Sequence, residues 1–190
     1  STDDLNRKPA LQHRILGAAF SEGQYTIAVD TATYPYSGLT FADDEIEALK
    51  ALAPTTSLLN QDFSPAAVAD EANSHTIVHL ATHAQFEIGP PEHSFIVFGN
   101  GETKSLRDLE RGWLNVPDVD LVVLSACETA VDGTIGDGAE ILGFGFLMEE
   151  AGAKASLASL WKVDDGGTHT LMERFYDALL RGRLSKAAAS

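Results

Sequence analysis

The 190 residues fit one domain of ordinary size, and with 44% hydrophobic and 22% charged residues the composition excludes a disordered or fibrous chain. A formal net charge of −15 argues against a nucleic-acid footprint, which needs clustered Lys and Arg, and is read as a solubility device or a preference for basic partners. The single cysteine, Cys127, excludes an internal disulfide and suits a reducing compartment; residues 1–8 are polar rather than signal-like, and no apolar run nears the ~20 residues of a membrane span, so a cytoplasmic protein is expected.

In chain order, short apolar and β-branched runs at residues 14–20, 56–59, 76–81, 94–98, 121–125 and 156–160 predict strands. Several lack a two-residue alternation, as in Leu121-Val122-Val123-Leu124, which suits strands buried on both faces. Between them, residues 41–53 predict an amphipathic helix on Ile46, Leu49 and Leu52, with Asp43, Asp44, Glu45 and Glu47 at its positive end. A shorter helix is expected over 65–72, a third over 140–151 ending at a Gly152 cap, and a fourth over 168–180 with Leu171, Phe175 and Leu179 at four-residue spacing. This alternation predicts an α/β domain with a mostly parallel sheet flanked by helices. No repeat or linker divides the chain, and residues 184–190 read as a helix start without a cap, as in a domain excised from a longer protein.

In such sheets ligands bind outside the carboxyl ends of the strands. Two ends carry chemistry: the run from Thr76 leads into His83, and the run from Leu121 leads into Cys127, 44 residues later. A thiol is mostly protonated at neutral pH, and an imidazole is the side chain able to take its proton there, so the pair is sufficient for acyl transfer. Read singly, Cys127 is equally a small buried hydrophobe and His83 a histidine satisfied by a backbone partner. His79 and His83 have the i, i+4 spacing of a zinc pair if their segment is helical, which its β-branched content opposes. The glycine-rich stretch 132–140 reads as a substrate-gating flap or a plain connection; it lacks the basic residue of a phosphate loop.

Taken together, His79-Leu80-Ala81-Thr82-His83 and Leu124-Ser125-Ala126-Cys127-Glu128-Thr129 resemble the CHAT domain family of caspase-like clan CD cysteine peptidases, related to caspases and separases. Residues 39–47, Ser94-Phe95-Ile96-Val97-Phe98, the stretch 158–165 and Phe175-Tyr176 extend the likeness from about Ile15 to Ala188. The resemblance implies a three-layer caspase-like fold and a single CHAT domain over 1–190, cut short at its C-terminus. It also implies a cysteine endopeptidase with Cys127 as nucleophile and His83 as base, needing no metal or organic cofactor; in caspases the histidine likewise lies ~50 residues upstream.

By the same resemblance the backbone N–H groups of Ala84 and Cys127 form the oxyanion hole. Related peptidases usually carry glycine after the histidine, so Ala84 is a departure that matters if the position needs a positive φ. Asp164 or Asp165, with Trp161 beside them, is implied as a pocket for a substrate Arg or Lys; the alternatives are an N-cap for the helix at Thr168 and a core position for Trp161. Implied partners are a protein or peptide substrate and a helical-repeat region in the same full-length chain, with no direct nucleic acid and no membrane. The alternative function is a catalytically silent CHAT scaffold or signalling module that binds protein partners.

Overall fold

The computed structural model describes residues 12–128, 139–161 and 167–181. Its elements are β1 (Ile15–Ala19), β2 (Gln24–Val29), β3 (Ala32–Ser37), α1 (Ala42–Leu52), β4 (Thr55–Leu59), α2 (Pro65–Glu71), β5 (Ile77–Gln85), β6 (Phe95–Val97), β7 (Thr103–Ser105), α3 (Leu106–Glu110), β8 (Leu121–Glu128), α4 (Ala139–Glu150), β9 (Ser156–Trp161) and α5 (Gly167–Leu180). The protein is an α/β fold in which a mixed sheet is flanked by helices.

Five strands run parallel in the order β4, β1, β5, β8, β9. β1 and β5 are buried along their whole length, as their unalternated apolar sequences require. The pairing of β1 with β5 stops at Ala19 opposite Ala81, whereas β5 continues to Gln85. On the side that β1 vacates, β6 pairs antiparallel with Ala84 and Gln85, and β7 pairs with β6. This pair makes the sheet mixed, while its other five strands are parallel as expected.

Side-chain alternation along β5 divides the core between two faces. Ile77 and Ala81 pack with Ile15, Ala19 and Val123 under Ala42, Ile46 and Leu49 of α1 and Met172 and Tyr176 of α5. Val78, Leu80 and Ala84 pack with Leu16, Val122 and Leu124 under α2, α3 and α4, through Val68, Leu109 and Phe144. In α5 the buried pair is Met172 and Tyr176, one residue on from the predicted stripe; Leu171 is half exposed.

Four elements, β2, β3, β7 and α3, went unpredicted. The β2–β3 hairpin turns at Asp30, whose φ of 52° is one that Asp tolerates better than most residues. The others are short: β7, and α3 with its reciprocal Ser105–Asp108 capping box. Gly152 stands where predicted, at φ +109°, with its N–H on the Glu149 carbonyl. No helix among the described residues is long and apolar enough to cross a membrane.

Candidate functional site

The register of the central pair builds the site. β5 and β8 align Ile77 with Leu121 and stay in step for eight residue pairs, so His83 stands directly opposite Cys127 and Ala84 opposite Glu128. On the other side of β8, Cys127 is in register with Trp161, the last residue of β9. The two chemical strand ends therefore lie on neighbouring strands at their carboxyl ends, where parallel sheets place their ligands.

The β2–β3 hairpin closes over His83. After β1, the Phe20 N–H bonds the Ala81 carbonyl, and the Leu39 N–H returns to the Phe20 carbonyl at 2.9 Å. Asn60 Oδ1 accepts from the N–H groups of both Ser21 and Glu22 at 2.9 Å, which fixes the turn between β1 and β2. Gly38 follows β3 against this turn; a Cβ there would fall 2.2 Å from the Ser21 carbonyl carbon. Only glycine allows that approach, and the approach sets the position of the preceding carbonyl, that of Ser37.

His83 is 5% exposed, with its Nε2 2.6 Å from the Ser37 carbonyl oxygen. A carbonyl only accepts, so Nε2 carries the proton and Nδ1 holds the lone pair of the neutral ring. Nδ1 is buried and has no hydrogen-bond partner among the described residues. The Tyr36 and Phe20 rings pack against the imidazole with centroids at 5.2 and 5.6 Å. Burial lowers the His83 pKa from its ordinary value, and the Ser37 carbonyl opposes part of that shift. Around neutral pH the ring is thus uncharged and its bare nitrogen is a proton acceptor.

Ala84 is fully buried in β5, between Ile96 on one side and Glu128 on the other. It is absent from the residues with positive φ, so its backbone is ordinary for an L-residue. His79 and His83 lie four residues apart on a strand, a separation of ~13 Å that removes the zinc alternative. His79 is bonded instead to Glu45 and Tyr176. Among the described residues no group of three or more His, Cys, Asp or Glu is arranged to hold a metal ion.

For Cys127 and Trp161 the structure gives the strand position, and their side chains lie outside the described set. Asp164, Asp165, residues 129–138 with most of the glycine-rich stretch, and residues 182–190 also lie outside the described residues. The contributors that sequence reasoning missed are Phe20, Tyr36 and the Ser37 carbonyl. Their signal was the alternating Tyr25, Ile27, Val29 run followed by Tyr34 and Tyr36, a hairpin pattern.

Comparison with curated proteins finds no match. Among solved structures the chain is similar to a Streptococcus pneumonia TIGR4 flavodoxin, at 13% identity and a TM-score of 0.46, over 90% of this chain and 98% of that one. That likeness is too slight to inform function. The CHAT domain family model matches residues 2–190, essentially the whole chain. The protein belongs to the CHAT domain family, a caspase-like family of clan CD.

Proposed function

We propose that this domain is a cysteine endopeptidase of three-layer caspase-like architecture, with Cys127 as nucleophile and His83 as general base. The observation that carries the reading is the direct register of His83 with Cys127, joined to a ring whose Nε2 is occupied by Ser37 and whose Nδ1 is bare. In this scheme Nδ1 takes the thiol proton as sulfur attacks the peptide carbonyl, and returns it to the leaving amine as the thioester forms. Water then attacks the thioester with His83 again as base, releasing the acid and restoring the thiol. The Ser37 carbonyl fills the orienting role that a carboxylate fills in other triads, stabilising the imidazolium as it appears.

Backbone N–H groups at Ala84 and Cys127 are assigned to the developing oxyanion, where each such donor is worth about 3–4 kcal/mol. Asp164 or Asp165, with Trp161, is assigned to a pocket for Arg or Lys at the cut. The setting proposed is cytoplasmic, with a protein or peptide as the substrate. A second reading, a silent CHAT module that binds partners, draws on the 5% exposure of His83 under Tyr36 and Phe20.

Alkylation by iodoacetamide separates the two. Cys127 is expected to react faster than a free thiol near neutral pH, and His83→Ala to remove the excess. Equal rates in wild type and variant would rule out the activated thiol.

A further inference from the structure

On the sheet face that carries His79 lies a buried polar cluster with no part in the proton transfers just described. Glu45, in the first turn of α1, is 8% exposed and bonds two strands at once. Its Oε2 is 2.9 Å from His79 Nε2 on β5, and its Oε1 accepts from Ser125 Oγ on β8 at 2.9 Å. His79 Nδ1 meets the Tyr176 hydroxyl of α5 at 2.8 Å. Burial and the Glu45 charge raise the Tyr176 pKa well above its ordinary value, so the hydroxyl keeps its proton. The donors then run in one sense: Tyr176 O–H to Nδ1, Nε2–H to one carboxylate oxygen, Ser125 O–H to the other.

The cluster braces the strand pair that carries the candidate dyad. In the β5–β8 ladder His79 is opposite Val123 and Ser125 opposite Ala81, so the carboxylate ties the strands along a diagonal. Ser125 is two residues before Cys127, and His79 is four before His83. A diagonal tie resists sliding of one strand along the other, the motion that would carry His83 past its partner. Replacing a buried charged cluster by apolar side chains of the same volume is often neutral or stabilising, because burying a charge carries a desolvation penalty. A role in fixing geometry fits such a cluster, whose three bonds join α1, β5, β8 and α5.

We infer that Glu45 is a positioning residue, whose carboxylate, through His79 and Ser125, holds the strand ends of His83 and Cys127 in reactive alignment. The inference rests on the peptidase reading of those two residues. Its test is the iodoacetamide rate at Cys127 between pH 5.5 and 9 for wild type, Ser125→Ala, Tyr176→Phe and Glu45→Gln, each also combined with His83→Ala, with melting followed in parallel.

Ser125→Ala and Glu45→Gln are expected to lose about tenfold or more of the His83-dependent excess, a misplacement of about 1 Å costing up to about a hundredfold. Their pH profiles should move toward that of a simple thiol, and neither should slow the reaction further in the His83→Ala background. Lower melting temperatures with unchanged rates and profiles would overturn the positioning role and leave the dyad intact. The same slowing in the His83→Ala background would also overturn it, since Glu45 would then act independently of the histidine. A wild type with no excess over His83→Ala would overturn the dyad and this inference together. If Glu45→Gln does not fold, Ser125→Ala and Tyr176→Phe, which each remove a single hydroxyl, carry the comparison.

Discussion

The imidazole of His83 donates through Nε2 to the Ser37 carbonyl at 2.6 Å, and this one bond decides which nitrogen is free to act as a base. Two segments 46 residues apart are brought together to make it. The bond depends on the hairpin, and the hairpin on Gly38.

Gly38→Ala is therefore expected to be costly out of proportion to one methyl group. The added Cβ meets the Ser21 backbone at 2.2 Å, which cannot move aside as a flexible side chain would. We expect a stability loss of about 1–3 kcal/mol, the range for overpacking, together with loss of most of the His83-dependent thiol reactivity. Urea denaturation and iodoacetamide kinetics on one sample measure both. Unchanged reactivity would show that the Ser37 contact is dispensable.

The lowered pKa of His83 fixes the sign of a pH effect. The unfolded ring takes up its proton near pH 6.5, the folded ring at a lower pH, so the unfolded state binds more protons in between. Stability from this group is complete above the unfolded value and is lost as the pH falls through 6.5 toward the folded value. Between pH 7.5 and 5.5 the urea midpoint of wild type should fall further than that of His83→Gln. Parallel curves would contradict the assignment. The acid limb of Cys127 reactivity should likewise lie below the ordinary imidazole value.

The family resemblance makes glycine the usual residue after the histidine; Ala84 takes that place here, with a negative φ inside a paired strand. Ala84→Gly should bring no gain in peptide turnover and should cost about 1 kcal/mol, from backbone entropy and a lost buried methyl. A marked rise in turnover would mean that the working oxyanion hole needs a conformation that alanine resists.

Cleavage specificity tests the acidic pair. On a fluorogenic peptide library, turnover after Arg or Lys is expected, and Asp164→Asn or Asp165→Asn should suppress it by reducing Coulomb attraction in the pocket. Cleavage after Asp would contradict the pocket assignment.

Much of this architecture was legible because burial leaves a plain mark. The unalternated runs leading to His83 and Cys127 announced two-sided parallel strands, and the acidic start of α1 was visible in Asp43, Asp44 and Glu45. The register of His83 with Cys127 was not readable, since it depends on where β5 and β8 begin pairing, at Ile77 and Leu121. Nor was the role of Ser37: a backbone carbonyl has no side-chain signature, and its partner is far away in the chain. Glu45 looked like one more helix-dipole acid, and only the packing of α1 on the sheet gave it His79 and Ser125.

The most direct test of the central claim is covalent capture by a substrate-like electrophile. A peptidyl acyloxymethyl ketone ending in Arg, incubated with the domain and followed by intact-mass spectrometry and peptide mapping, should give one adduct on Cys127. His83→Ala should slow adduct formation by a hundredfold or more, within the roughly 10²–10⁴-fold range of general-base contributions. No adduct on Cys127, or one formed equally fast without His83, would contradict the account.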